Sequence, residues 1–322
     1  YEQRCQIPAL LKRKIPKSVI ANDLGIHRTT LTRELNRNSG LRGYRHKQAQ
    51  RKSPSRRSAA SGRAALKMTP YLIRTFRFVL ENYQWSPDQI SCFFRRNHIA
   101  CISAETIYRH IWTDKHAGGT LYQNLRHRGK KYNKRSAQNA GRGLIPGRID
   151  IDQRPDIVEE KRRMGDWEID TIIGKDHVGA IVSLVDRASK YTRIRLVPSK
   201  KAAVVRDAIV NELKGLPHKA HTLTADNGKE FAMHADIAKS LKADVYFAKP
   251  YASWQRGLNE HTNGLVRQYF PKKTRFDKIT QRDVKKVEML LNTRPRRILN
   301  YKTPVEVFYE DQIRNANDAL HV

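Results

Sequence analysis

The sequence predicts a multidomain chain: α-helical modules first, then an α/β domain on a mixed five-stranded sheet with helices on both faces. Three observations carry this. Up to about residue 126, apolar residues recur at helical spacing behind strong helix-start signals. From Met164 onward, three β-rich runs follow one another, and then helix and strand patterns alternate. Charge shifts along the same line. Residues 1–150 hold 31 Lys/Arg against 8 Asp/Glu, or +23, and residues 151–322 hold 32 against 23, or +9. The total of +32 is not needed for folding and speaks to partners, of which nucleic acid is the polyanion that fits best. The amino-terminal half reads as the gripping part and the acid-richer half as the chemical part.

In chain order, residues 1–50 read as a helix-turn-helix domain. Val19, Ile20 and Leu24 line one helix face, Gly25 breaks it, and Ile26, Leu31 and Leu35 form the buried stripe of a second helix. That second helix is expected in the major groove, with His27, Arg28, Thr29, Thr30, Thr32, Arg33 and Arg37 toward bases and phosphates. Residues 51–63 carry almost no large apolar side chain and read as a flexible basic linker. Residues 64–126 read as a second helix-turn-helix-like domain. A helix opens at Thr69-Pro70, a second at Ser86-Pro87-Asp88-Gln89, and a third at Ser103-Ala104-Glu105. In the third, Ile107, Tyr108 and Ile111 face a core while Thr106, Arg109 and His110 face outward. Residues 127–160 read as another basic linker, with Lys130, Lys131 and Arg135 among its phosphate contacts. The catalytic-type α/β domain spans 161–312, and 313–322 is a tail. Its strands are expected at 167–173, 179–185, 191–197, 221–224 and 244–247, the first three as an antiparallel meander. Helices are expected at 202–216, 231–241, 258–270 and 280–291.

Composition narrows the class further. Cys5, Cys92 and Cys101 are too few, odd in number and not in a C-x-x-C arrangement, which argues against a disulfide framework or zinc site and fits a reducing cytosol. No run of about eighteen apolar residues is present, and no signal peptide is visible. The chain begins with Tyr1, so a preceding natural amino terminus is expected.

Three acids concentrate the chemistry: Asp170 in Gly165-Asp166-Trp167-Glu168-Ile169-Asp170-Thr171, Asp226 in Thr224-Ala225-Asp226-Asn227-Gly228, and Glu260 in Gly257-Leu258-Asn259-Glu260-His261. Carboxylates from separate elements suit a pair of Mg²⁺ ions, which prefer oxygen ligands and, ~3.5–4 Å apart, serve both the attacking and leaving oxygens of a phosphodiester. Asp166, Glu168 and Asp170 alternate along one strand and share a face. A carboxylate in an otherwise apolar strand asks for a partner, and a metal ion or an arginine would serve. Asp226 also fits a plain Asx turn, and Glu260 an exposed helix position. Around Glu260 lie Lys249, Tyr251, Trp254, Gln255, Arg256, Asn259, Asn263 and Arg267 as candidate DNA contacts, with Asn263 and Arg267 at i+3 and i+7.

The strings around the three acids resemble the DDE catalytic core shared by retroviral integrases and many transposases. Pro250-Tyr251-Ala252-Ser253-Trp254-Gln255-Arg256-Gly257, Arg267-Gln268-Tyr269-Phe270-Pro271-Lys272, Asn292-Thr293-Arg294-Pro295-Arg296 and Tyr301-Lys302-Thr303-Pro304 narrow the resemblance to the insertion-sequence thirty (IS30) family of bacterial transposases. Ser103-Ala104-Glu105-Thr106-Ile107-Tyr108 and Arg33-Glu34-Leu35-Asn36-Arg37-Asn38 agree. The resemblance covers nearly the whole chain; His261 departs from it, the family more often having Asn there. It implies an RNase H-like fold and two Mg²⁺ or Mn²⁺ ions on Asp170, Asp226 and Glu260. It also implies double-stranded DNA as partner, both terminal inverted repeats and target. Water frees a 3′-hydroxyl at the element end, and that hydroxyl attacks the target. A homo-oligomer on DNA is expected, in the bacterial cytoplasm at the nucleoid. No membrane and no nucleotide cofactor are expected, since no Walker-type glycine loop is present. Competing readings are a nuclease or integrase with the same triad, and a sequence-specific DNA-binding regulator.

Overall fold

The computed structural model describes residues 2–41, 43–65, 68–126, 145–249 and 252–310, with 58, 60–65, 253 and 254 given by backbone alone. Lys130, Lys131, Arg135 and the tail at 313–322 lie outside the described residues. The chain divides into two compact units, Tyr1–Arg74 and Thr75–Val322.

The first unit contains α1 (Glu2–Lys12), α2 (Lys17–Asp23), α3 (Arg28–Asn38), the antiparallel pair β1 (Ser39–Gly40) and β2 (Gly43–Tyr44), and α4 (His46–Ala65). Ile7, Ile20, Leu24, Leu31 and Leu35 form its core. Gly25 turns the chain between α2 and α3 at φ +63°, a left-handed angle that glycine adopts without a Cβ penalty. Arg4 clasps Glu34 at 2.7 Å, and the Tyr44 hydroxyl donates to the same carboxylate at 2.9 Å. Residues 51–63, expected as a flexible linker, instead lie inside α4. Poverty in large apolar residues does not prevent a helix, because Ala, Arg, Lys and Gln lose little rotamer freedom there. Ala49 is buried, and Arg56 ties α4 to the end of α3 by donating to Arg37 O and Asn38 Oδ1.

Helix α5 (Pro70–Tyr83) runs from the end of the first unit into the second, and it, α6 (Pro87–Arg96) and α7 (Ala104–His116) form where the start signals predict. Ser86 and Gln89 make a reciprocal capping box, and Ser103 accepts from the Thr106 amide. Phe76, Leu80, Ile90, Phe94, Ile107 and Ile111 are buried. His110, expected outward, packs edge-on against Phe76 at 5.1 Å between ring centres. These helices join the α/β domain in one unit: Gln89 donates to Pro295 O, Tyr301 to Asp88, and Arg96 pairs with Glu306.

The sheet contains β3 (Ile149–Asp150), β4 (Asp166–Ile173), β5 (Ala180–Asp186), β6 (Thr192–Val197), β7 (Thr222–Ala225) and β8 (Asp244–Phe247), in the order β3-β8-β7-β4-β5-β6. β4, β5 and β6 form the antiparallel meander; β7 and β8 run parallel to β4. The sixth strand, β3, is two residues long, too short for a period-two signal, and falls in the stretch expected as linker. Helices α8 (Ile157–Glu160), α9 (Ala202–Leu213), α10 (His234–Leu241), α11 (Gly257–Tyr269), α12 (Gln281–Asn292) and α13 (Pro304–Phe308) complete the unit. Along β4, Trp167 and Ile169 join a core with residues of α9, α10 and α13. Ile172 points the other way, into a core with residues of α11 and α12. Period two therefore places Glu168 and Asp170 on the α11 side. Among the described residues no helix is long and apolar enough to cross a membrane.

Candidate active site

β4 delivers three acids to three environments. Asp166 is buried and held by Arg163 and the Thr222 hydroxyl. Glu168 is buried beside Arg187 and accepts from the Asn259 amide at 3.1 Å. Asp170 alone has side-chain surface to offer, 17% exposed. Its Oδ2 accepts from Asn263 Nδ2 at 2.8 Å, and Asn263 in turn accepts from Ser183 of β5 at 3.0 Å. Burial pushes the Asp170 carboxyl up to about 6; Arg256 opposes this and the nearby charge of Asp226 adds to it.

Asp226 follows the end of β7, which lies beside β4 in the sheet. Its Oδ1 accepts from the Gly228 amide at 2.8 Å, the Asx-turn geometry that Asp-Asn-Gly favours. Asn227 anchors the turn by donating to Ala248 O and accepting from Arg148. A Cβ at Gly228 would lie 2.8 Å from Asp226 Oδ1 and 2.6 Å from the Glu230 carboxyl carbon, so any other residue there would push these two carboxylates aside.

One guanidinium joins the two aspartates. Arg256 stands 3.8 Å from Asp170 Oδ1 and 3.4 Å from Asp226 Oδ2, and donates to Ile169 O. The partner that the Asp170 carboxylate demanded is thus an arginine. In ligand type the pair suits a divalent ion, since two carboxylates share one cation and Asn263 orients Asp170, but it supplies only two protein ligands.

Glu260 is exposed on α11 and does not join the pair. Among the described residues, no three Asp, Glu, His or Cys side chains stand close enough to hold one ion. Helix periodicity does not set it apart: at about 100° per residue Glu260 shares the face of Asn263 and Arg267, in the first turn of the helix, yet its side chain is exposed while theirs bond to the protein. Asn259 and Arg267 donate to Ile169 O and Ile173 O at 3.2 and 2.7 Å. Arg256, Asn263 and Arg267, expected at DNA, therefore bond within the protein.

The other expected DNA contacts divide. Arg28, Thr29, Thr30, Arg33 and Arg37 are exposed on α3, as is Arg109 on α7. His27 caps α3, and the Thr106 hydroxyl meets Ser103 at 2.9 Å. The Trp254 side chain lies outside the described residues. His261 contacts Arg126 at 3.4 Å and faces away from β4. Sequence reasoning missed Glu230, whose Oε1 accepts from the Thr171 hydroxyl at 2.8 Å, next to Asp170 in the chain. Its position four residues beyond Asp226 was the available signal.

No protein-family model matches the chain. The transposase for insertion sequence element IS4351 of Bacteroides fragilis is 46% identical over 318 residues, 98% of this chain and 96% of its own length. The transposase InsI for insertion sequence element IS30C of Escherichia coli K12 is 34% identical over 318 residues, 95% of this chain and 82% of its own length. Among solved structures, the catalytic core domain of BIV integrase aligns with 47% of this chain and 98% of its own, at TM-score 0.38 and 19% identity, too distant to bear on the fold.

Proposed function

The chain belongs to the IS30 family of insertion-sequence transposases, and from that premise we propose that it is a DNA transposase of the DDE, RNase H-like type. It binds the terminal inverted repeats of its element, cuts a strand at the element end and joins the freed 3′-hydroxyl to target DNA. The observation that carries the chemical half is the convergence of Asp170 and Asp226 on one cation.

In this reading Asp170 and Asp226 hold Mg²⁺ or Mn²⁺, and Glu260, on the adjoining helix, completes the ligand set for a second ion. The ions, when bound, supply a nucleophilic oxygen at neutral pH and stabilise the departing 3′ oxygen. Asn263 fixes the Asp170 carboxylate through Oδ2. Arg256 offsets part of the charge of the aspartates in the metal-free protein and, released from them, is a candidate for a strand phosphate. The basic residues exposed on α3, in a helix-turn-helix of residues 1–50, grip the repeats, with the helices of 64–126 and Arg109 adding contacts. Two element ends must be held at once, so a homo-oligomer assembles on DNA.

Asp170→Asn, Asp226→Asn and Glu260→Gln test the assignment. Each is expected to lower metal-dependent cleavage of labelled element-end DNA on the order of 10³-fold or more, with repeat binding retained. Cleavage that survives all three changes removes the active site from these residues. Joining of a pre-cut end to plasmid DNA separates a transposase from a nuclease, which nicks without joining.

A further inference from the structure

The side of α11 turned away from β4 lines a cavity of about 860 Å³. One wall is electrically balanced: Arg154 and Arg187 pair with Glu159, and Arg187 also with Glu168. The opposite wall is not. Arg126, Arg294 and Arg296 line it, and among the described residues no carboxylate pairs with any of them. Arg294 is 3% exposed; it donates to Gln268 Oε1 at 3.4 Å and to the Tyr269 hydroxyl at 2.5 Å, and its Nε is buried without a partner. Arg296 donates to Leu291 O at 3.0 Å and likewise has a buried, unpartnered Nε. Arg126 comes from the rim, its guanidinium 3.2 Å from where a Cβ on Gly264 would sit. Residues 115–149, which contain Arg126, include no Asp or Glu, so the flanking sequence adds only positive charge.

Guanidinium groups gathered without counter-charge are costly unless an anion joins them. Burial, with the neighbouring Arg294 and Arg126 adding to it, brings Arg296 down to about 9.

We propose that Arg126, Arg294 and Arg296 form an anion site that takes one phosphate group, distinct from the carboxylate pair across α11. Arginine forks match the oxygens of a tetrahedral phosphate in a way that suits this wall. The cavity is far larger than a phosphate ion, so the group is able to arrive attached to a nucleoside or a strand. The source is either a backbone phosphate of DNA, which rests on the function proposed above, or free phosphate, which does not.

The test uses the full chain in EDTA. Sodium phosphate, compared with sodium chloride at matched ionic strength, is expected to raise the wild-type Tm by about 3 °C in a saturable way. Arg296→Gln and Arg126→Gln remove that rise. The Arg126 change lies at an exposed position and keeps the test valid if the buried substitution fails to fold. A non-specific duplex provides the second arm. If the site holds a backbone phosphate, the slope of log affinity against log salt falls by about 0.9 in each variant; if it holds free phosphate, the Tm rise is lost and the slope stays. A wild-type Tm indifferent to phosphate together with unchanged slopes overturns the proposal, as does a phosphate response that both variants keep. Because neither readout needs strand cleavage, failure here is separable from failure of the Asp170, Asp226 and Glu260 assignment.

Discussion

On the side of α11 that meets β4, charges of opposite sign stand together: Arg256, just before the helix, lies between Asp170 and Asp226, and Asn263 fixes one carboxylate from two turns on. On the side that meets the cavity, Arg126, Arg294 and Arg296 have no carboxylate partner among the described residues. Thirteen residues of one helix border both. The difference teaches what each region lacks. The first has one cation between two carboxylates in the metal-free protein, so a divalent ion entering it has to displace an arginine and bring further positive charge. The second has no carboxylate for its arginines among the described residues, and the anion proposed above would complete it.

Removing Arg256 has the largest expected effect. In Arg256→Gln two neighbouring carboxylates lose their common cation, and in EDTA the variant is expected to be about 3 kcal/mol less stable, a Tm drop of roughly 6–12 °C for a unit of this size. Millimolar Mg²⁺ should restore most of that loss, because the ion replaces the missing positive charge. Thermal unfolding of wild type and variant, each with EDTA and with Mg²⁺, reads both effects. A drop that Mg²⁺ leaves untouched would show that the pair does not bind the ion.

Much of this arrangement was legible beforehand. The alternation in Asp166–Ile173 pointed to β4 and the face that Asp170 shares with Glu168, and the helix expected at 280–291 forms as α12. Asp226 at a strand end was readable because Asp-Asn-Gly can hardly be anything but a turn. The choice between a metal ion and an arginine at Asp170 was not readable, since both satisfy a carboxylate and the sequence contains candidates for each. α4 was hidden because lack of apolar residues describes a linker and an exposed helix equally well. The arginine wall was hidden for a different reason: Arg126 and Arg294 lie far apart in the chain, and only tertiary packing brings them to one cavity.

Glu230 sharpens the acidic side of the comparison. It braces Thr171 and packs over the Asp226 turn, which places a further carboxylate near the pair, whereas Glu260 is exposed beside it. Glu230→Gln keeps a hydrogen-bond acceptor for the Thr171 hydroxyl and removes only the charge. Strand cleavage is expected to fall about 10–100-fold, as it does when a group supporting a metal ligand is lost, with DNA affinity unchanged. A wild-type cleavage rate would reduce Glu230 to a brace for the turn.

The smallest effect is in pH. The Asp170 carboxyl is lifted from its ordinary value of 3.8 to about 6, chiefly by burial. Between those values the folded chain keeps a proton that the unfolded chain has released. The stabilising contribution is therefore full below about pH 4 and lost as pH rises through about 6. In EDTA, Asp170→Asn removes this dependence. Its Tm is expected to fall less than that of wild type between pH 4 and 7 and to lie about 3 °C higher at pH 7.5, a gain held down by the simultaneous loss of the Arg256 contact. Tm curves for the two proteins that run parallel from pH 4 to 8 would mean that Asp170 carries no strain, and the contrast between the mixed-charge and the all-arginine face of α11 would then rest on geometry alone.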